Sequence, residues 1–357
     1  MTTPPSPVRG SSRPAQSWPG ARLHVVTGKG GTGKTTVAAA LAVALAAQGQ
    51  RVLLAEVEGR QGISQTLDVA PLAPVERRVL STARGGEVIG LAVDAKAALL
   101  EYLQIFYRLG RAGGALERVG AIDFATTIAP GVRDVLLIGK VFEANRRPLD
   151  PADKHRRGPR MYDAVVLDAP PTGRVVHFLS VNAEVAGLAK VGPIRSQADS
   201  ITRLLTSSQT VVHLVTLLEE MPVQETLDAI DELAKGGFRV GAVVVNQVRD
   251  QVLPDWAVEE LLDQRVDTAA LATPLARSGL RLDPTAVAGL LAEARGHAER
   301  VALEAEQLAL VEDTGRPVLL LPYLSDGVDS TAVAELAEIL TDPVSYTHLT
   351  LPTSDLV

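Results

Sequence analysis

Between an apolar run, "RLHVVT", and an alanine-rich one, "VAAALAVALAA", stand the residues "GKGGTGKTT", Gly28 to Thr36. They leave the backbone little choice. The pattern G-x-x-x-x-G-K-[ST] is met by Gly28, Gly33, Lys34 and Thr35, with a strand signal before it and a helix signal after it. The glycines let backbone N–H groups turn inward without a Cβ clash. A helix starting near Lys34 adds its partial positive charge. Gly28, Gly30, Gly31, Thr32, Gly33, Lys34, Thr35 and Thr36 therefore form a cradle expected to hold ATP. In that cradle Lys34 reaches the β- and γ-phosphates, and the Thr35 hydroxyl is a ligand for Mg²⁺. A phosphate loop needs one lysine, so Lys29 asks for an explanation.

Such a loop belongs in a doubly wound α/β sheet, and the rest of the chain agrees. Short β-branched runs occur at Leu23–Thr27, Val52–Val57, Val88–Val93, Asp163–Asp168, Thr210–Leu217, Val240–Asn246 and Val318–Pro322. Helical periodicity lies between most of them, at Thr35–Gln48, Ala97–Leu109, Val223–Lys235, Pro284–Val311 and Ser330–Leu340. Alternation of this kind predicts a mainly parallel sheet with helices on both faces. Residues 94–160 and 175–208 break the rhythm and read as a helical subdomain laid on the sheet. The charged stretch "NRRPLDPADKHRRGPR", Asn145 to Arg160, reads as a solvated surface loop.

Residues 21–343 read as one P-loop ATPase domain. Residues 1–20, rich in Pro, Ser and Gly and without an apolar run, read as a disordered arm, not a signal peptide. The last segment, "VSYTHLTLPTSDLV", Val344 to Val357, shifts composition abruptly and reads as a non-native tail resembling a translated cloning adaptor. The formal net charge of -7 argues against a nucleic-acid partner. The longest apolar run, Val37 to Ala47, is too short to span a bilayer, so a cytoplasmic location without stable membrane insertion is expected. The absence of cysteine rules out disulfides, thiolate metal sites and iron–sulfur clusters.

"YDAVVLDAPPTGR", Tyr162 to Arg174, is an apolar strand ending in a carboxylate. Asp168 would sit at the strand's carboxyl end beside the phosphate loop and hold Mg²⁺ through water.

The loop "KGGTGKTT" resembles the deviant Walker A loop of dimerising ATPases. "DAPPTGRVVHFLSV" resembles the switch II motif of the arsenical-pump and tail-anchored-protein-targeting ATPases. "GLAVDAKAALLEYL", "IAPGVRDV", "HLVTLLEEMPVQETLDAIDEL", "VVVNQV" and "LPYLSDGVDSTAVAELAEIL" are similar to further segments of that family, in its order, over about residues 22–341. The resemblance implies a Mg²⁺-dependent ATPase working as a nucleotide-switched dimer on a protein partner or hydrophobic client. It implies that Lys29 crosses the interface to the partner's nucleotide. It places adenine contacts at Asn246 and near Pro322, the switch I carboxylate that orients water at Glu58, and the switch II pair at Thr172 and Gly173.

The sequence also departs from the family. Glu58 stands where the family has Asp, and Arg174 where it has His. Without cysteine there is neither a thiolate arsenite site nor a zinc clasp at the dimer interface. A displacement of about 1 Å at a water-positioning carboxylate can cost roughly 100-fold in rate. A second reading follows: a low-turnover subunit that completes a heterodimer with a paralogous ATPase. Leu99, Leu103 and Phe106 share one helical face, which reads as core before client groove.

Overall fold

A computed structural model describes residues 18, 20–107, 130–153, 158–188 and 193–341. Its centre is a sheet of eight strands among the described residues: β1 (Leu23–Gly28), β2 (Arg51–Glu56), β3 (Arg77–Ser81), β4 (Glu87–Ala92), β5 (Ala164–Asp168), β6 (Thr210–Thr216), β7 (Val240–Val248) and β8 (Val318–Pro322). The spatial order is β3-β4-β2-β5-β1-β6-β7-β8. All pairings are parallel except β3 with β4. The helices are α1 (Lys34–Ala47), α2 (Gly62–Thr66), α3 (Ala95–Tyr107), α4 (Pro130–Arg146), α5 (Thr172–Leu188), α6 (Pro193–Leu205), α7 (Glu220–Lys235), α8 (Asp255–Leu262), α9 (Thr268–Arg277), α10 (Pro284–Glu312) and α11 (Ser330–Thr341). The class is α/β, a P-loop NTPase with a doubly wound, mainly parallel sheet and inserted helices.

Strand side chains alternate between two buried layers. Leu23, Val25, Leu53, Ala55, Val165 and Leu167 enter one core with Leu137 and Val141 of α4, Phe178 of α5, Ile201 of α6 and Leu233 of α7. Val26, Val52, Leu54, Ala164 and Val166 enter the other with α1 and with Val333, Leu336 and Leu340 of α11. Every residue from Val37 to Ala46 is buried. Alanine suits that position, because a helix covered on all sides must lie close to both the sheet and α11. A third, smaller core of Val258, Leu261, Leu291 and Ala298 joins α8, α9 and α10. That group lies outside the two intervals read as a helical subdomain, and its α10 is the helix expected at Pro284–Val311.

All seven strand runs read from the sequence form strands. The eighth, β3, was not among them. It is a charged edge strand, "RRVLS", whose side chains are exposed or half-buried, so no apolar alternation marks it. The basic stretch 145–160 is pinned at its start: Arg147 binds Glu76 at 2.7 Å and also contacts Glu143, and Leu149 N–H donates to Pro159 O at 2.8 Å. Burial and the Glu76 hydrogen bond push the Tyr162 hydroxyl pKa up beside this pair. The arm before Trp18, residues 108–129, 154–157 and 189–192 of the two inserted intervals, the tail from 342, and the side chains of Leu103 and Phe106 lie outside the described residues. Trp18 itself is buried and packs edge-on against His213, ring centroids 4.7 Å apart. No helix among the described residues is long and apolar enough to cross a membrane.

Candidate nucleotide site

The phosphate loop leaves the central strand β1 and enters α1. Gly28 ends the strand with no room for a side chain, since a Cβ there would stand 2.1 Å from Val215 O of β6. Gly33 has φ 85° and serves as the residue before α1. A Cβ on it would lie 2.3 Å from Asn246 Nδ2. Thr32 closes the loop on itself, its hydroxyl donating to Lys29 O at 2.9 Å. No side chain caps α1. Its first N–H groups therefore remain available to an anion, with Lys34, largely buried, beside them.

Asp168 is brought to this helix start by β5, the neighbour of β1. The Thr35 hydroxyl donates to Asp168 Oδ2 at 2.6 Å. Asp168 Oδ1 is buried without a hydrogen-bond partner. Burial pushes the Asp168 carboxyl up to about 6; the Thr35 hydrogen bond and Lys34 oppose this, while Glu56 and Glu58 add to it. A buried hydroxyl–carboxylate pair with one orphaned oxygen, crowded by two more carboxylates, suits a divalent cation, which would satisfy that oxygen and offset the repulsion.

The turn that the resemblance reads as switch I lies on the same side. Glu56 ends β2 in register with Asp168. Its two oxygens accept the N–H groups of Gln61 at 3.1 Å and Ile63 at 3.2 Å, fixing the turn that carries Glu58. The Gln61 side chain in turn brackets Leu72, accepting its N–H at 2.7 Å and donating to its carbonyl at 2.9 Å. Glu58 lies 3.8 Å from Arg60 Nε and 3.9 Å from Arg174 Nη1, and Arg174 also reaches Asp134 at 3.9 Å. These groups border a cavity of about 220 Å³ lined by Glu58, Arg60, Arg133, Leu137, Pro170 and Arg174, with Val57.

The segment that the resemblance reads as switch II begins at the Pro-Pro turn, held by the Thr27 hydroxyl, which donates to Pro170 O at 2.6 Å. Thr172 opens α5 and donates its hydroxyl to Glu225 Oε2 at 3.1 Å. A Cβ on Gly173 would meet open space, so nothing in its own chain requires glycine there. Lys29 Nζ lies 2.9 Å from Glu225 Oε1 and so turns to its own chain. Asn246 donates through Nδ2 to Thr32 O at 3.0 Å, which braces the phosphate loop. Pro322 ends β8 opposite Val248, and the Arg249 guanidinium lies 5.0 Å above the Tyr323 ring beside it.

The loop, Lys34, Thr35, Asp168, Glu58, Thr172 and Lys29 thus converge at the carboxyl ends of β1, β2 and β5; Asn246 braces the loop from β7, while Pro322 ends the edge strand β8, beyond β7. Sequence reasoning missed Glu56 and Glu225. For Glu56 a signal existed, an acidic residue closing an apolar strand. For Glu225, one of several carboxylates on the outer side of α7, the signal was the family-like Glu-Thr pair of "VQETL", which gave it no role in the site.

A glycine cradle between strand and helix, with a lysine inside it and a carboxylate on the adjacent strand, defines a P-loop nucleotide hydrolase. The model of the family described as "Anion-transporting ATPase" matches residues 21–206 and 188–268. The chain is 49% identical to ATPase BagA of Mycobacterium tuberculosis over 327 residues, covering 90% of this chain and 94% of that one. It is 30% identical to protein Rv2184c of the same organism over 341 residues, 80% of this chain and 77% of that one. It is 26% identical to the arsenical pump-driving ATPase of Acidiphilium multivorum over 277 residues, 72% of this chain and 45% of that one. The chain belongs to the anion-transporting ATPase family, the arsenical-pump type. Its chemistry is ATP hydrolysis.

Proposed function

We propose that the protein is a Mg²⁺-dependent ATPase that works as a nucleotide-switched dimer and acts on a protein partner or client in the cytoplasm, where ATP is supplied. The observation that carries this reading is the Thr35–Asp168 pair with its orphaned oxygen beside Lys34. Thr35 and Asp168 hold Mg²⁺, which when bound neutralises charge on the phosphate oxygens. The loop N–H groups and Lys34 bind the phosphates. Asn246 and the backbone near Pro322 receive the adenine. Glu58 orients the attacking water, and Thr172 and Gly173 respond to the γ-phosphate. Lys29 completes the neighbouring subunit's site. The exposed apolar side chains of Trp256, Leu280 and Leu290 around α8 to α10 support a protein surface as the receiver of the switch.

Two measurements test the assignment. Lys29→Ala is expected to lower turnover by roughly 100-fold while nucleotide affinity of the monomer stays within about threefold. Equal loss of both would mean that Lys29 serves its own subunit. Glu58→Ala is expected to slow phosphate release by about 100-fold with binding retained; an unchanged rate removes Glu58 from the mechanism.

One observation favours the second reading, a low-turnover subunit completing a heterodimer with a paralogous ATPase. Glu58 faces two guanidiniums, those of Arg60 and Arg174, which compete with water for its carboxylate. Phosphate release by the purified chain alone decides between the readings: turnover that appears only on adding a paralogue selects the heterodimer.

A further inference from the structure

The two oxygens of the Glu225 carboxylate serve two different parts of the nucleotide site. Oε1 lies 2.9 Å from Lys29 Nζ, and Oε2 accepts the Thr172 hydroxyl at 3.1 Å. Glu225 stands on α7, whose Val223, Ala229, Ile230 and Leu233 are buried in the core of the sheet. The carboxylate is therefore carried by an anchored element. Lys29 sits on a loop and Thr172 on a helix start, so both are groups that a bound nucleotide can redirect.

We propose that Glu225 is a positioning residue that parks Lys29 in its own subunit and ties it to switch II. The proposal rests on the reading that Lys29 acts across a dimer. While the pair is closed, the ammonium is unavailable to a second subunit. The pair is partly exposed, 30% at Lys29 and 37% at Glu225, so it is weak enough to exchange. A partner's triphosphate, more highly charged and drier at a closed interface, wins the lysine. Because one carboxylate holds both groups, departure of Lys29 also loosens Thr172. Arrival of the amine at the opposite nucleotide and rearrangement of switch II become one event.

Sedimentation of the full chain with a non-hydrolysable ATP analogue and Mg²⁺, over a range of protein concentrations, tests this. Glu225→Gln keeps an oxygen for the Thr172 hydroxyl and loses the charge. It is expected to dimerise at about tenfold lower concentration, since a dimer opens two pairs worth about threefold each. The gap should narrow as salt rises. Glu225→Ala, which cannot bind Lys29 at all, should shift in the same direction. Dimerisation of both variants at the parent's concentration or above overturns the role of Glu225. A parent that stays monomeric, or a Lys29→Ala variant that dimerises as the parent does, overturns the dimer reading beneath it.

Discussion

Asp168→Asn is expected to slow Mg²⁺-dependent ATP hydrolysis by at least about 100-fold and, in the same protein, to raise the stability of the nucleotide-free state. The two effects have one cause. Asp168 is a buried carboxylate with Oδ1 unpartnered, near Glu56 and Glu58. Its carboxyl is pushed from 3.8 up to about 6, with burial the largest contribution. A group whose folded pKa lies above its unfolded value binds its proton more tightly when folded. Its stabilisation is present below about 4 and is lost as pH rises through about 6. At pH 7.5 the charged form therefore costs the nucleotide-free fold about 2 to 3 kcal/mol. Asparagine removes the charge, and its Oδ1 can still accept from the Thr35 hydroxyl. It also removes the carboxylate proposed to hold Mg²⁺. Thermal unfolding at pH 7.5 should show a higher midpoint for the variant without nucleotide and a smaller gain on adding Mg²⁺ and ATP. Equal turnover in parent and variant, or a variant less stable without nucleotide, would sink the assignment.

The parts of this site that the sequence displays are those built from consecutive residues. The phosphate loop needs a strand, nine residues and a helix, and all of it lies within Leu23–Ala47. Asp168 is visible because an apolar strand ends in a carboxylate and a Pro-Pro turn. The core strands are legible for a similar reason: β1, β2 and β6 are buried on both faces and read as short, largely apolar runs. β3 is not, because only one of its sides meets another strand and its own residues are charged.

The relations that tertiary packing creates are the ones that stay hidden. Lys29 and Glu225 are far apart in the chain, and any carboxylate on the right turn of α7 could have met the lysine. The resemblance that points Lys29 towards a neighbour says nothing about where it rests in a lone subunit. Asn246 is similar: a strand-end amide suggests adenine, yet it also occupies the space that Gly33 leaves and holds Thr32 O. The glycine and the asparagine explain each other, and neither motif alone contains that fact. Glu56 and Gln61 likewise hold switch I through backbone N–H groups, contacts that no spacing rule predicts.

One buried pair lies outside the nucleotide site and governs a different property. Stability is expected to be nearly flat above pH 7 and to fall as pH drops from about 6.5 towards 4, the two histidines outweighing Asp168, whose raised carboxyl acts in the opposite direction. His24 of β1 and His213 of β6 face each other, Nδ1 of His24 3.2 Å from Nε2 of His213, with rings stacked 5.5 Å apart. Ala242 N–H donates to His213 Nδ1 at 3.3 Å. The pairing of β6 with β7 slips at this point, and Gly241 supplies the room, since a Cβ there would stand 2.8 Å from the same nitrogen. With Nδ1 accepting, His213 carries its proton on Nε2 and donates it to His24. A second proton on His213 would point at the Ala242 N–H. Burial therefore pushes His24 down from 6.5 to about 4. It pushes His213 well below 6.5, with His24 and Arg239 adding to the effect. Unfolded histidines take up protons near pH 6.5, while the folded ones refuse them, so stability falls as pH falls through this window. His24 alone removes about 3 kcal/mol by pH 4, and His213 adds to the fall in the same direction. In His213→Asn, whose Oδ1 can accept the Ala242 N–H, one of the two imidazoles is gone and the fall towards acid should become clearly shallower, whatever the variant's absolute stability. Denaturant unfolding at intervals between pH 7.5 and 4.5 reads both slopes; parallel curves for parent and variant would show that the imidazole pair is not what titrates.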